Sequence, residues 1–198
     1  MSDPVEEAAD AALRGELVVI PTDTIYGIGT RPDDDSATSR LFEAKRRPKE
    51  LELPVLVTGV EQARSLAELD ARAERLASAL WPGPLTLILP RADSSRDWEL
   101  GGDGRTIGLR VPRHALALAV LALAGPLAVT SANVSGDPTP STCEGLFEVF
   151  GELVSVYICE EVPLVASAST VVEIAHGEHR ILREGSVTAG EIDASLGG

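Results

Sequence analysis

The chain has 198 residues, 44% of them hydrophobic, and a formal net charge of -14. The apolar share supports a packed core and excludes wholesale disorder, and the length fits one domain spanning residues 1–198. The acidity excludes a broad nucleic-acid face or an anionic membrane as the main partner, because both demand a basic surface.

Cys143 and Cys159 show no metal-ligand spacing and are expected as free thiols in a reducing compartment. The N-terminus lacks a basic, apolar leader pattern. The longest apolar run, Ala115 to Ala124, is too short to cross a bilayer. A soluble cytoplasmic protein is expected.

Asp3, Pro4 and Glu6 predict a helix start, with Gly15 as its stop. Leu17–Ile20 is an apolar run without alternation, the pattern of a strand covered on both faces. A polar segment, Thr22–Thr30, follows at the strand's C-terminal end, where open α/β sheets place ligands. Asp35-Ser36 predicts a second helix through Ala44, and residues 54–57 a strand. Helices are predicted over 60–67 and 70–80, and a strand over 85–89. Residues 91–105 read as a polar loop. A strand over 107–111 is followed by a helix opening at Pro112, which places His114 one turn inside it. A short strand at 127–129 runs into Thr130–Gly136. Ser141-Thr142-Cys143-Glu144 predicts a capped helix to Phe150. Strands are predicted over 153–158, 170–174 and 180–182, with His176 and His179 flanking a hairpin turn. Thr188–Glu191 opens a last helix. Strands and helices interleave irregularly, so the class is α/β, a mixed sheet with helices packed on it.

One segment breaks the acidic character. Lys45-Arg46-Arg47-Pro48-Lys49 holds the only two lysines of the chain with two arginines between them. Cations gathered in a cleft gain more from an anion than cations spread over open surface. As alternate residues of an extended segment, Lys45 and Arg47 are expected on one side, Arg46 on the other, and Lys49 as general attraction.

Hydroxyl, amide and arginine groups also recur after buried strands, at Thr22–Tyr26, Arg110–His114 and Ser131–Asn133. Converging on one crevice, they form a kit for phosphates and a small polar ligand. Singly, each has an ordinary structural use: Asp23 and Thr24 as turn caps, Arg110 as a strand residue facing water, Asn133 as a turn former. There is no nucleophile–base–orienter set, no acid pair, no Walker loop and no dinucleotide fingerprint.

Taken together, the ordered motifs Pro21–Gly29, Lys45–Pro48, Arg110-Val111-Pro112, Ser131–Gly136, Ser169–Val172 and Leu182–Gly185 resemble the YrdC-like threonylcarbamoyl-AMP synthases. The resemblance covers about residues 15–185. It implies a YrdC-like open twisted sheet with a basic crevice. It also implies one reaction, in which L-threonine, bicarbonate and ATP give threonylcarbamoyl-AMP and pyrophosphate. Mg2+ is expected with ATP, with no metal-binding side chain assigned. The product would pass to a tRNA threonylcarbamoyl transferase complex, with any tRNA contact of this chain secondary. By motif matching, Lys45 and Arg47 would be catalytic; Arg47, Arg110, Asn133, Ser141 and Arg183 would contact ATP; Thr24, His114, Ser131 and Ser169 would hold threonine. Two places depart from the family pattern. Leu51 and Glu52 stand where Asn or Lys and then Pro are usual, and Leu56 stands where some members have His. An RNA-binding module of the same fold is the alternative. Low aromatic content, 4%, and the acidic balance weigh against it.

Overall fold

Helix α1 (Pro4–Leu13) starts where its sequence says it should: the Asp3 carboxylate accepts from the Val5 N–H at 2.8 Å, and Pro4 needs no partner at the first position. In this computed structural model, residues 3–164, 166–175 and 177–197 are described. The buried face of α1 is Ala8, Ala9, Ala11 and Ala12, small enough for close approach to a second helix. Gly15, at φ +78°, turns the chain into β1 (Leu17–Ile20), all four residues of which are buried.

The next element departs from expectation. The last four residues of the polar segment form β2 (Gly27–Thr30), antiparallel to β1. Two glycines in four residues hide a strand from propensity reasoning, yet both are needed. A Cβ on Gly27 would lie 2.5 Å from Val129 Cγ1, and one on Gly29 would lie 2.5 Å from the Ala128 carbonyl oxygen.

The remaining elements follow as α2 (Asp35–Lys45), β3 (Val55–Leu56), α3 (Val60–Leu66), α4 (Ala71–Leu80), β4 (Leu85–Pro90), β5 (Thr106–Arg110), α5 (Ala115–Ala124), β6 (Leu127–Ser131), α6 (Cys143–Phe150), β7 (Val154–Tyr157), β8 (Thr170–Ala175), β9 (Glu178–Arg183) and α7 (Ala189–Leu196). Among the described residues the strands make one mixed sheet of order β7-β1-β2-β6-β3-β5-β4-β8-β9. Several boundaries move. The cap of α2 is Asp34, which accepts from the Ser36 and Ala37 N–H groups. Thr142, not Ser141, caps α6. Helix α5 starts at Ala115, so His114 is its N-cap residue rather than an internal one. His176 lies outside the described residues.

Alternation along the strands divides the core in two. Leu87 and Leu89 of β4, Ile107 and Leu109 of β5 and Val55 of β3 pack on one face with α2, α3, α4, α6 and α7. The opposite face is covered by α1 and α5, but only over β1, β3, β6 and the residues beside β7. On that second face β4, β5 and β8 present Thr86, Ile88, Gly108, Arg110 and Val171, which no helix covers. The uncovered half-face is the floor of a cavity.

The loop over 91–105 is built inward. Arg91 donates to the carbonyls of Thr106, Ser95 and Trp98, and Leu100 joins the core. The Leu100 carbonyl accepts from Leu53 N–H at 2.7 Å, so the loop braces the segment leading into β3. The cysteines also correct the expectation of free thiols: Cys143 and Cys159 are disulfide-bonded, with Cα atoms 5.7 Å apart. Spacing in sequence could not show this, because the proximity arises where the start of α6 meets the end of β7.

Candidate active site

The cavity holds about 500 Å³ and sits on the half-face that α1 and α5 leave open. Its floor is Thr86 and Ile88 from β4, Gly108 and Arg110 from β5, Pro54 and Leu56 around β3, and Val129 from β6. Its walls are the Thr22–Gly27 turn, Arg47 with Glu50–Glu52, Ser131, Thr139, and the approach to β8 with Arg183 of β9.

Three arginines face this space, each for a local reason. Arg110 is the last residue of β5, and strand alternation turns it to the cavity side. It donates to Asp23 Oδ1 at 2.7 Å, Thr24 Oγ1 at 3.0 Å and the Gly83 carbonyl at 3.1 Å. Arg183 is the last residue of β9 and donates to the Ser169 carbonyl at 2.8 Å and to Ser169 Oγ at 3.2 Å. Arg47 donates to the carbonyls of Leu51 and Glu52 at 3.0 and 2.9 Å, folding its own segment around itself. Burial pushes all three guanidinium pKa values down, and the charge of Arg183 adds to this at Arg47 and Arg110. At Arg110 the Asp23 carboxylate opposes the shift. Three desolvated cations close enough for Arg183 to depress the other two form a site for an anion.

Hydroxyls surround the arginines. Thr22 and Thr24 share a hydrogen bond at 3.0 Å, and Thr22 Oγ1 donates to the Ile25 carbonyl. Ser169 Oγ lies 3.0 Å from Thr86 Oγ1. Ser131 is fixed by backbone pairing with Gly27. Glu52 is a carboxylate of the wall, hydrogen-bonded by Arg91 and Thr106 at 3.3 Å each. Burial outweighs those contacts and pushes its pKa up to about 7.

Of the residues singled out in the sequence, Thr24, Arg47, Arg110, Ser131, Ser169 and Arg183 line the cavity. Lys45, His114, Asn133 and Ser141 do not. Lys45 is the last residue of α2 and Arg46 is left-handed at φ 50°, so the expected extended segment with Lys45 and Arg47 on one side does not form. Lys45 is 1% exposed. Its ammonium donates to the Ser131 and Asn133 carbonyls at 2.5 and 2.7 Å and to Asn133 Oδ1 at 3.2 Å. Burial, helped by the nearby Arg47 charge, lowers its pKa to about 8. It grips the strand end that presents Ser131 from behind. The Asn133 amide donates to the Val134 and Asp137 carbonyls and shapes the following turn. His114 Nε2 lies 3.0 Å from Glu160 Oε1. The Ser141 carbonyl accepts from the Leu164 N–H at 2.9 Å.

Sequence reasoning missed Thr86, Thr139 and Glu50 on the lining, and met Glu52 only as a departure from the family pattern. Alternation could have found two of them. Thr86 is the polar member of an otherwise apolar strand, and Glu52 shares the parity of Pro54 and Leu56. Among the described residues no group of three or more His, Cys, Asp or Glu side chains is placed to hold a metal ion. No helix there is long and apolar enough to cross a membrane.

Comparison with known proteins decides the kinship. A family model for Sua5, YciO and YrdC proteins, described as "Telomere recombination", matches residues 10–185. The chain belongs to the Sua5/YciO/YrdC family. A protein of Mycobacterium leprae, provisionally named a threonylcarbamoyl-AMP synthase, is 39% identical over 99% of this chain and 92% of its own length. The threonylcarbamoyl-AMP synthase of Pyrococcus abyssi is 36% identical over 96% of this chain and 56% of its own. Among solved structures, Pyrococcus abyssi Sua5 complexed with L-threonine superposes with a TM-score of 0.88 at 32% identity, over 100% of this chain and 59% of that one. The chain thus spans somewhat over half of these longer Pyrococcus family members. Escherichia coli YciO, at 24% identity, shares the fold with a TM-score of 0.86 over 95% of this chain and 92% of that one.

Proposed function

We propose that this chain is a threonylcarbamoyl-AMP synthase, converting L-threonine, bicarbonate and ATP into threonylcarbamoyl-AMP and pyrophosphate for tRNA modification. The observation that carries this reading is the cavity itself. Three buried arginines, two of them depressed by the charge of the third, Arg183, share it with the hydroxyls of Thr22, Thr24, Ser131 and Ser169, in a chain whose relatives carry that name over nearly its whole length.

The chemistry matches the residue set. The neutral threonine amine adds to CO2 with release of its proton to solvent, or to bicarbonate with loss of water, giving a carbamate that water would destroy, so a recessed site protects it. A carbamate oxygen then attacks the α-phosphorus and pyrophosphate departs with the electron pair of the broken P–O bond. This step demands alignment and charge neutralisation more than proton transfer. Arg47, Arg110 and Arg183 supply the neutralisation, and the magnesium ion arrives with the nucleotide. Thr24, Ser131 and Ser169 offer the short polar contacts that a threonine needs. Lys45 acts from outside the lining by fixing Ser131. Asn133 shares that Lys45 anchor and shapes the turn that follows Ser131. A cytoplasmic setting and a downstream transferase complex belong to the same reading. The test is pyrophosphate release that depends on both threonine and bicarbonate.

A further inference from the structure

The floor of the cavity is laid out in rows, because β3, β4 and β5 are in register. Leu56 pairs with Arg110, and Ile88 with Gly108. One row on from Arg110 lie Pro54, Gly108 and Ile88. One row further lie Glu52 and Thr106, whose hydroxyl donates to Glu52 Oε2 at 3.3 Å. Thr106 and Arg110 are four residues apart on β5, so the carboxylate row and the arginine row are about 13 Å apart. The middle row is apolar and low. Gly108 has no side chain, and a Cβ there would meet Pro54 Cβ at 3.4 Å and Thr86 Cγ2 at 3.5 Å.

The mechanism above leaves Glu52 without a task. Arg91 faces it from the end of β4 with Nη2 3.3 Å from Oε1, and Thr106 faces it from β5. Asp103 of the 91–105 loop adds like charge, and Arg47 on its own segment reaches only its backbone carbonyl. Both contacts to the carboxyl are long. A carboxyl group has about four acceptor positions, so capacity remains for a ligand.

We propose that Glu52 reads the purine base of the bound nucleotide. The ring lies on Gly108 between Pro54 and Ile88, its amino-bearing edge meets the Glu52 carboxyl, and the phosphates extend toward Arg110 and Arg183, with Arg47 beside the path from its anchor on the Leu51 and Glu52 carbonyls. This inference rests on the nucleotide-binding reading above and deepens it. A protonated carboxyl offers one donor and one acceptor, the complement of adenine's ring-nitrogen acceptor and amino donor. An ionised carboxyl offers acceptors only, the complement of the adjacent N–H and amino donors of guanine. Burial places the Glu52 pKa at about 7. Its protonated share therefore falls from about 0.9 at pH 6 to about 0.1 at pH 8, and preference for adenine falls with it.

The experiment is equilibrium titration of the full chain with ATP and with GTP, magnesium present, at pH 6 and pH 8. It compares the unaltered chain with Glu52→Gln and Gly108→Ala. The ratio of GTP to ATP dissociation constants should fall between the two pH values by up to about 80-fold, about ninefold from each nucleotide, the titration of the phosphates cancelling in the ratio. Glu52→Gln, with one donor and one acceptor at either pH, should hold an ATP-favouring ratio constant within about twofold. Gly108→Ala should weaken both nucleotides about tenfold at an unchanged melting temperature. A ratio indifferent to pH, a pH dependence that survives in Glu52→Gln, or undiminished binding by Gly108→Ala overturns the proposal. Pyrophosphate release with a ratio indifferent to Glu52 would keep the reaction and remove the base subsite. Binding that follows Glu52 without threonine-dependent release would do the reverse, and failure of both nucleotides to bind removes both.

Discussion

Arg110 and Asp23 meet at 2.7 Å between Nη2 and Oδ1, both side chains nearly closed off from water. The pair ties the end of β5 to the turn between β1 and β2. The same Asp23 oxygen accepts from the Arg113 N–H at 2.9 Å. Asp23→Ala leaves a buried guanidinium without its counter-charge and should cost about 3–5 kcal/mol. Asp23→Asn keeps an acceptor and should cost less. Urea unfolding of the two variants checks the order, and equal losses would show that charge is not what Asp23 contributes.

Arg183 tests the opposite balance. It lowers the pKa of both Arg47 and Arg110, so the folded chain tolerates it at some cost. Arg183→Ala should leave the unfolding free energy within about 1 kcal/mol of the unaltered chain. Threonine-dependent turnover should fall about 100- to 1000-fold, as for the loss of one preorganised charge at a transition state. Steady-state kinetics beside a denaturation curve gives both numbers, and retained turnover would remove Arg183 from the chemistry.

Lys45 and Glu52 impose opposite pH slopes on stability. Lys45 titrates at about 8 in the fold, below its ordinary 10.5. Between those values the unfolded chain binds more protons, so stability rises with pH there, by on the order of 3 kcal/mol in full. Glu52 titrates at about 7, above its ordinary 4.5, so its contribution falls as pH rises from 4.5 to 7. Stability measured from pH 5 to 10 for Lys45→Met and Glu52→Gln should each lack one slope. A Lys45→Met curve parallel to the parent above pH 8 would show that the ammonium is not desolvated.

The Cys143–Cys159 bond closes a loop of 16 residues. Cross-linking such a loop restricts the unfolded chain by about 3 kcal/mol. Cys143→Ser should lose about 2–3 kcal/mol in non-reducing denaturation, and a reductant should bring the parent down to the same midpoint. No shift on reduction would mean that the bond adds nothing in solution.

Much of the framework was legible because it obeys local rules. Asp3, Asp70 and Thr188 cap helices where such residues should, and the apolar runs of β1, β4 and β5 are buried strands. Strand β2 was hidden because Gly27 and Gly29 serve a close approach to β6, visible only once the strands are side by side. The cation cluster pointed to the right place but assigned the wrong geometry. Helix α2 continues one residue further than expected, to Lys45, which turns that side chain inward and leaves Arg47 to the cavity. Thr86 was overlooked, and Glu52 noted only as a departure from the family pattern, because their partners, Ser169 and Arg91, are distant in sequence. Tertiary pairing of this kind leaves no periodic trace.

The proposed reaction is tested most directly by supplying the purified chain with ATP and magnesium and measuring pyrophosphate. Release should require L-threonine and bicarbonate together, and omission of either should return it to background. Pyrophosphate formed equally without threonine, or no pyrophosphate with all three substrates present, would contradict the assignment of this cavity to threonylcarbamoyl-AMP synthesis.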